Sequence, residues 1–74
     1  MTTRSYVIVI EGDGSANYSA YVPDLPGCVA TGDTMDHCEA NMRDAIAFHI
    51  EGLLAQGLEI PEPTATSARV VRVA

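Results

Sequence analysis

Acidic side chains are the most numerous groups in this chain that could carry chemistry, with ten Asp and Glu among 74 residues. Convergent carboxylates could hold the paired metal ions of a nuclease, which lie about 3.5–4 Å apart. The first apolar segment, Tyr6 to Ile10, contains no acid, however, and neither does Arg69 to Val73. The acids near these segments and the turns are ordinary turn or cap residues, namely Glu11, Asp13, Asp24, Asp33 and Asp36. We therefore predict that the protein is not an enzyme.

Two cysteines and two histidines are the other reactive groups. Cys28 falls in a predicted strand and Cys38 on the apolar face of a predicted helix, where cysteines behave as small hydrophobic residues. His49 lies about 16 Å beyond Cys38 along that helix, which is too far for a Cys–His catalytic pair. A structural zinc site needs four convergent ligands, and these residues do not have such a spacing. We expect no metal and no cofactor.

The charge balance indicates the kind of partner. The net charge is −6, and the chain has four arginines and no lysine, whereas phosphate-binding surfaces need clustered basic residues. We therefore expect no direct nucleic-acid binding, and an acidic protein of this kind suits a basic protein partner.

Chain length and cysteine content further limit the class of protein to which this chain can belong. Residues 1–74 are predicted to form a single domain, which is so small that a partner would help to stabilise it. The N-terminal apolar run is too short for a signal peptide or a membrane span, and two cysteines do not form a disulfide framework. These features indicate a cytoplasmic protein without membrane association.

Three strands are predicted in the first half of the chain. Ser5 to Glu11 alternates with apolar residues on both faces, and Gly12 to Ser15 has the composition of a hairpin loop. Asn17 to Val22 is the second strand and Cys28 to Thr31 a short third. Between them, Pro26-Gly27 is typical of a type II turn, where glycine supplies the positive φ. A meander with a rigid turn follows, and rigid turns often present binding surfaces.

A helix and a last strand are predicted in the second half. Thr34 is a typical N-cap, and Asp36 and Glu39 place carboxylates in the first turn, where the helix dipole favours them. Gly57 is typical of the residue at which a helix ends. Between these caps, an apolar stripe at three- and four-residue spacing would face the sheet; it comprises Cys38, Met42, Ala45, Ile46, His49, Leu53 and Leu54. A polar connection, 58–67, leads to a strand from Arg69 to Val73. The predicted fold is α+β with the order βββαβ.

Three segments also match a family pattern in order and spacing. They are YSAYVPDLPGCVATGDT from Tyr18 to Thr34, Asn41 to Leu53 with the form N-x-x-x-A-I-x-x-H-I-E-x-L, and IPEP from Ile60 to Pro63. The chain thus resembles the HicB-like antitoxins of bacterial toxin–antitoxin systems. The N3 residue of the helix, His37, departs from the pattern, because relatives often have an acidic residue there.

The resemblance implies a partial RNase H-like fold, in which the last strand lies beside the first and the sheet order is 3-2-1-4. A double-stranded-RNA-binding-like βββα core with the last strand elsewhere is the alternative. One sheet face would lack a helix, which favours a homodimer or a higher homo-oligomer, and the last strand could be exchanged between subunits.

The resemblance also implies a function. The protein would bind and occlude a small basic HicA-type toxin that cleaves mRNA with a histidine. We expect the contact at the turn, which comprises Tyr21, Pro23, Asp24, Leu25, Pro26, Gly27 and Cys28. Family members commonly add a C-terminal DNA-binding module, whereas this sequence ends at Ala74, so we expect a short form. The rival interpretation is a solitary HicB-like domain that forms a structural or ligand-binding homo-oligomer without a toxin.

Overall fold

A three-stranded antiparallel sheet covered by one long helix forms the body of the protein. The computed structural model describes residues 4–74, with strands β1 (Val9–Glu11), β2 (Tyr18–Val22) and β3 (Leu25–Gly32) and helix α1 (Met35–Ala55). The strands lie in the order β1-β2-β3, so the predicted α+β meander is confirmed. Within residues 4–74, no helix combines the length and apolarity needed to cross a membrane.

The β2–β3 hairpin contains a bulge next to its tip. Pairing runs regularly from Tyr18 opposite Gly32 to Tyr21 opposite Val29, and then jumps to Val22 opposite Leu25. Pro26, Gly27 and Cys28 are therefore extra residues in β3, and the chain reverses at Pro23-Asp24. The prediction that Pro26-Gly27 connects two strands is wrong, although Gly27 has the predicted positive φ, at 83°. Pro26 lacks an N–H for the ladder, and such residues are found at bulges.

Both ends of α1 are capped. The Thr34 hydroxyl oxygen accepts a hydrogen bond from the backbone N–H of His37 at 3.0 Å, which confirms the predicted N-cap. At the other end, Gly57 has a φ of 70°, and the N–H groups of Gly57 and Leu58 reach back to the carbonyls of Leu54 and Leu53. This pair of bonds is a Schellman motif, which satisfies carbonyls that the helix leaves free.

One of the two acidic residues predicted in the first turn of α1 lies further along the helix. Asp36 is the acidic residue of the first turn, as predicted, whereas Glu39 lies beyond that turn. Its carboxylate instead pairs with Arg43 at 3.3 Å, one helical turn further along. Such an exposed pair adds only about 0.3–0.5 kcal/mol to the stability of a helix.

The core lies between the N-terminal half of α1 and the sheet. Its buried side chains come from β2, β3 and α1, namely Ala20, Val22, Leu25, Cys28, Cys38 and Met42. Tyr6, Ile8 and Ile10 pack against this cluster, although the strand predicted from Ser5 to Glu11 forms only over Val9–Glu11. Further along the predicted stripe burial declines, and Leu54 is 61% exposed. Helix α1, with 21 residues, is about 31 Å long, whereas strand β2, with five residues, is about 17 Å long. The C-terminal part of α1 therefore extends beyond the sheet.

Two contacts fix α1 against β3. The Asn41 side-chain amide donates a hydrogen bond of 2.7 Å to the carbonyl of Thr31. At Gly32 the helix backbone comes so close that a Cβ would lie 2.7 Å from the Cα of Cys38 and 2.9 Å from the carbonyl carbon of His37. Real Cβ atoms almost never approach backbone at such distances. Glycine at position 32 is therefore a requirement of the packing.

The predicted last strand is not formed within the chain. Residues 69–73 have no regular secondary structure, and Val70, Val71 and Val73 are 101%, 76% and 82% exposed. The prediction of a fourth strand beside β1 is therefore wrong, and so is the order 3-2-1-4. The alternative, a double-stranded-RNA-binding-like βββα core with the last strand elsewhere, agrees with the observed βββα order but not in its last strand, which is absent from residues 56–74. β1 has only three residues, so a fourth strand beside it would gain few hydrogen bonds for the entropy lost in ordering it.

The segment before that tail is held by three side chains, which we call the C-terminal clasp. The Tyr6 hydroxyl donates to the Pro61 carbonyl at 2.6 Å, and Arg4 pairs with Glu62 at 3.1 Å. Asp24, at the hairpin tip, accepts bonds from the Thr64 hydroxyl at 2.6 Å and from the N–H groups of Thr64 and Ala65 at 3.1 Å each. The clasp thus joins the start of the chain, the hairpin tip and residues 61–65.

The three bonds to Asp24 make it a stronger acid. The bond from the Thr64 hydroxyl, helped by those from the Ala65 and Thr64 backbone, holds the pKa of Asp24 below its ordinary value of 3.8. A carboxyl group whose pKa is lower in the folded than in the unfolded chain stabilises the fold above the unfolded pKa. This contribution is lost as the pH falls through the folded pKa.

We predict that Gly32→Ala destabilises the protein by about 2–3 kcal/mol, because the added methyl group has to displace helix backbone. For a domain of this size the melting temperature should fall by about 8–24 °C in a circular-dichroism melt. Gly52→Ala is the matched control, since a Cβ there meets nothing within 4 Å and alanine favours a helix. Equal melting temperatures for Gly32→Ala and the wild type would contradict the close approach.

We predict that Asp24→Asn releases residues 61–65 without unfolding the helix, because an amide cannot accept all three bonds. Hydrogen exchange at the Thr64 and Ala65 amides should accelerate, while exchange within α1 stays unchanged. The wild type should show the same local release on acidification through the folded pKa of Asp24, which lies below 3.8, because the carboxyl group then becomes protonated.

The control for this substitution is Asp13→Asn. Asp13 also accepts hydrogen bonds, from the N–H and hydroxyl of Ser15, and these bonds lower its pKa as well. Its loop is remote from residues 61–65 in the hydrogen-bond network, so Asp13→Asn should leave their exchange as it is. Unchanged exchange in Asp24→Asn would show that the clasp does not hold this segment.

Candidate functional site

The seven residues predicted to contact a partner lie at one end of the β2–β3 hairpin, but they do not all face outward. Leu25 and Cys28 are 0% and 3% exposed and belong to the core. The Asp24 carboxylate is occupied by residues 64 and 65. The residues available to a partner are therefore the exposed ones, namely the side chains of Tyr21, Pro23 and Pro26 and the backbone of Gly27.

The shape of this end of the hairpin is fixed by its own backbone. Pro23 and Pro26 restrict φ, and Gly27 holds a φ of 83° that other L-residues rarely adopt. A Cβ at Gly27 would meet no atom within 4 Å, so conformation and not space demands glycine there. Two buried anchors, Leu25 and Cys28, tie the bulge to the core. A partner would meet a surface that is already ordered, which lowers the entropic cost of binding.

The sheet face opposite α1 continues this surface. Val9, Tyr21 and Val29 lie side by side across the three strands, and we call this row the open face. Tyr21 is 41% and Val29 66% exposed, whereas Ala20 and Val22, on the other face, are buried against the helix. Sequence reasoning selected Tyr21 but missed Val9 and Val29 as its neighbours. The apolar residues on both faces of the first predicted strand were the signal for Val9.

Burial perturbs two titratable groups, Cys28 at the hairpin tip and Tyr6 in the clasp. Burial raises the pKa of the Cys28 thiol, so the nucleophilic thiolate is suppressed at neutral pH. Burial also raises the pKa of Tyr6, an effect that the charge of Arg4 partly offsets. In the part of the chain from residue 4 onward, no cluster of three or more His, Cys, Asp and Glu side chains could hold a metal ion. The arrangement offers an ordered apolar row beside an ordered hairpin tip.

Comparison with known proteins places the chain in a family. Residues 6–72 match the family described as HicB_like antitoxin of bacterial toxin-antitoxin system. An uncharacterised 14.9 kDa protein of Haemophilus phage HP1 is 46% identical over 59 residues, which are 77% of this chain and 42% of that protein. UPF0150 proteins of Synechocystis sp. and Thermoplasma acidophilum are 33% and 34% identical, over 78% and 88% of this chain and 73% and 94% of their own lengths.

Solved structures show the same fold. The N-terminal domain of the Burkholderia pseudomallei antitoxin HicB matches with a TM-score of 0.69 at 34% identity, over 80% of this chain and 69% of that one. A chain of the HicA3 and HicB3 toxin-antitoxin complex matches with a TM-score of 0.67 at 34% identity, over 78% of this chain and 66% of that one. The chain spans less than half of the phage relative and about two thirds of these two chains. Over nearly its whole length, the chain belongs to the HicB-like antitoxin family.

Proposed function

We propose that this protein is an antitoxin that binds and occludes a small basic HicA-type toxin. The observation that carries the proposal is the family match over residues 6–72. The similarity to a chain of a complex between HicA3 and HicB3 adds to it, because it indicates the kind of partner with which such a domain assembles. The interaction would take place in the cytoplasm, where Cys28 and Cys38 would remain reduced.

Electrostatics supports a basic partner. The chain has ten acidic and four basic residues and a net charge of −6. Complementary charge steers the encounter of two proteins and disfavours wrong partners. An RNA-cleaving toxin needs a basic surface for phosphate, and an acidic protein can compete for that same surface. An antitoxin that occludes the toxin in this way needs no catalytic activity of its own.

The contact surface that we propose joins the hairpin tip to the open face. Tyr21 belongs to both, and tyrosine is enriched at interfaces because its ring is apolar and its hydroxyl group polar. Val29 adds exposed apolar area beside it, and Pro23, Pro26 and Gly27 keep the adjoining edge rigid. In this proposal Leu25, Cys28 and Asp24 act indirectly, by holding the shape of the tip.

The second candidate is a homo-oligomeric structural or ligand-binding domain without a toxin. The exposed valines of residues 69–73 favour self-association and so give this candidate a specific basis. The two candidates differ in what copurifies with the protein at native expression. A basic protein of similar size in stoichiometric amount indicates the antitoxin, and only copies of the chain itself indicate the second candidate.

The test of function is toxin neutralisation in cells. A small basic protein encoded beside this chain is expressed alone and then together with it. We expect growth arrest in the first case and normal growth in the second. If that protein is harmless alone, or if coexpression does not restore growth, the antitoxin proposal is wrong.

We predict that Tyr21→Ala and Val29→Arg each weaken toxin binding at least about 30-fold, which corresponds to about 2 kcal/mol. Tyr21→Ala removes the central aromatic anchor, and Val29→Arg places a positive charge against a basic partner. The dissociation constants can be measured by calorimetry with the purified toxin.

Phe48→Arg is the matched control for Val29→Arg. Phe48 is 77% exposed on the helix, so the same substitution is made at a similarly exposed apolar residue away from the sheet. Its dissociation constant should equal that of the wild type. The opposite pattern, with weak binding by Phe48→Arg and normal binding by Val29→Arg, would place the contact on the helix instead of the open face.

A further inference from the structure

The side of α1 that faces away from the sheet is rich in apolar residues, although the solvent side of a helix is usually polar. At about 100° per residue, most exposed residues of α1 beyond its first turn fall on one stripe of the helix. We call this stripe the outer face; it comprises Ala40, Asp44, Ala47, Phe48, Glu51, Leu54 and Ala55. Phe48 is 77% and Leu54 61% exposed. Helix α1 therefore has a second apolar side besides the one that covers the sheet.

The outer face has the residue spacing of a contact between two helices. Ala40, Asp44, Ala47, Glu51 and Leu54 follow one another at alternating intervals of four and three residues, as the a and d positions of a coiled coil do. Alanine at two of these positions lets a second helix come close, because the distance between helix axes depends on the side chains at the contact. The C-terminal part of α1 also extends beyond the sheet, which leaves it accessible. A helix is therefore the kind of partner that this surface fits.

Two carboxylates within this row determine which helix can bind. Asp44 and Glu51 are exposed and lie seven residues apart, which is about 10 Å along α1. Within residues 4–74 neither of them forms an ion pair. A helix that covers them has to supply positive charge, because the burial of an unpaired carboxylate is costly.

The same carboxylates disfavour a second copy of this chain as the partner. In a pair of identical helices joined through the outer face, Asp44 and Glu51 would be buried against other carboxylates or against alanine methyl groups. Arg43 lies beside the row, but it is already paired with Glu39. Each copy also has a net charge of −6, which adds repulsion. The charges therefore select a helix of a different, basic protein.

We propose that the outer face of α1 binds an amphipathic helix of another protein, which carries two basic residues seven positions apart within its apolar stripe. Arginine suits these positions, because its guanidinium group can bind a carboxylate through two hydrogen bonds. Phe48 and Leu54 supply apolar contact beside the two ion pairs. The outer face and the open face lie on opposite sides of the domain, with the core and the sheet between them, so the proposal is independent of toxin binding.

The first test uses three synthetic helical peptides of 21 residues, the length of α1. The arginine peptide has alanine and leucine in its apolar stripe and two arginines seven positions apart. The glutamate peptide has glutamate in place of both arginines, and the scrambled peptide has the composition of the arginine peptide without an apolar stripe. Fluorescence anisotropy of the labelled peptides gives their dissociation constants for this protein.

We expect the glutamate and scrambled peptides to bind at least about 10-fold more weakly than the arginine peptide. A scrambled peptide that binds as well as the arginine peptide would show attraction by net charge alone and would overturn the proposal. Equal binding of the glutamate and arginine peptides would overturn it as well, because the carboxylates would then select nothing.

The second test reverses the charges of the outer face. The variant Asp44→Arg/Glu51→Arg should bind the glutamate peptide at least about 10-fold better than the arginine peptide, which is the reverse of the wild type. The variant Glu11→Arg/Glu59→Arg is the matched control, because it changes the net charge equally at two exposed residues outside α1. It should keep the preference of the wild type.

Both charge variants should keep the helical circular-dichroism signal, because all four substituted residues are exposed. An unreversed preference in Asp44→Arg/Glu51→Arg would overturn the proposal, and so would a reversed preference in the control variant.

The third test separates the outer face from the proposed toxin contact. Phe48→Arg should weaken binding of the arginine peptide at least about 10-fold, whereas Tyr21→Ala and Val29→Arg should leave it unchanged. For the toxin we predict the opposite pattern in these three variants. Normal binding of the arginine peptide by Phe48→Arg would overturn the proposal. The toxin is absent from these measurements, so such a failure would leave the proposed antitoxin function as it is.

Discussion

The close approach of α1 to the end of β3 is the constraint on which the rest of the structure depends. Gly32 lets the first turn of the helix lie against the strand, and Thr34 caps that turn two residues later. This placement brings Cys38 and Met42 directly onto Ala20, Val22 and Leu25. Because the core is so small, a shift of the first turn by the width of one methyl group would move every buried contact. The short link between strand and helix thus sets the packing of the whole domain.

Local signals predicted most of this architecture. Thr34 and Gly57 act over a few residues, and both predictions are confirmed. The first strand was predicted from Ser5 to Glu11 but forms only over Val9–Glu11. The turn at Pro26-Gly27 was a harder case, because proline and glycine fit a bulge as well as a connecting turn, and only the pairing register distinguishes them. The fourth strand failed for a different reason. The valines of residues 69–73 have the composition of a strand, but a strand also needs a partner edge, which composition does not report.

The location of the candidate site could be predicted from the sequence, but the exposure of its individual side chains could not. The density of proline and glycine between Tyr21 and Cys28 marked the rigid end of the hairpin. It could not separate side chains that face outward from Leu25 and Cys28, which anchor the bulge from inside. The role of Asp24 could not be predicted either, because its hydrogen-bond partners, Thr64 and Ala65, lie about forty residues further along the chain. One signature motif of the family, which contains Asp24, is thus bonded to residues that directly follow another, Ile60 to Pro63.

The burial of both cysteines makes the protein its own reporter of unfolding. Cys28 and Cys38 are the only cysteines of the chain, and both are free and shielded from solvent. A thiol-specific dye can reach them only when the helix lifts from the sheet, so its rate of attachment measures that opening directly. Conversely, a cysteine introduced at an exposed position can be labelled selectively under native conditions. Fluorescence or spin-label studies of this domain therefore need no background substitution of the native thiols.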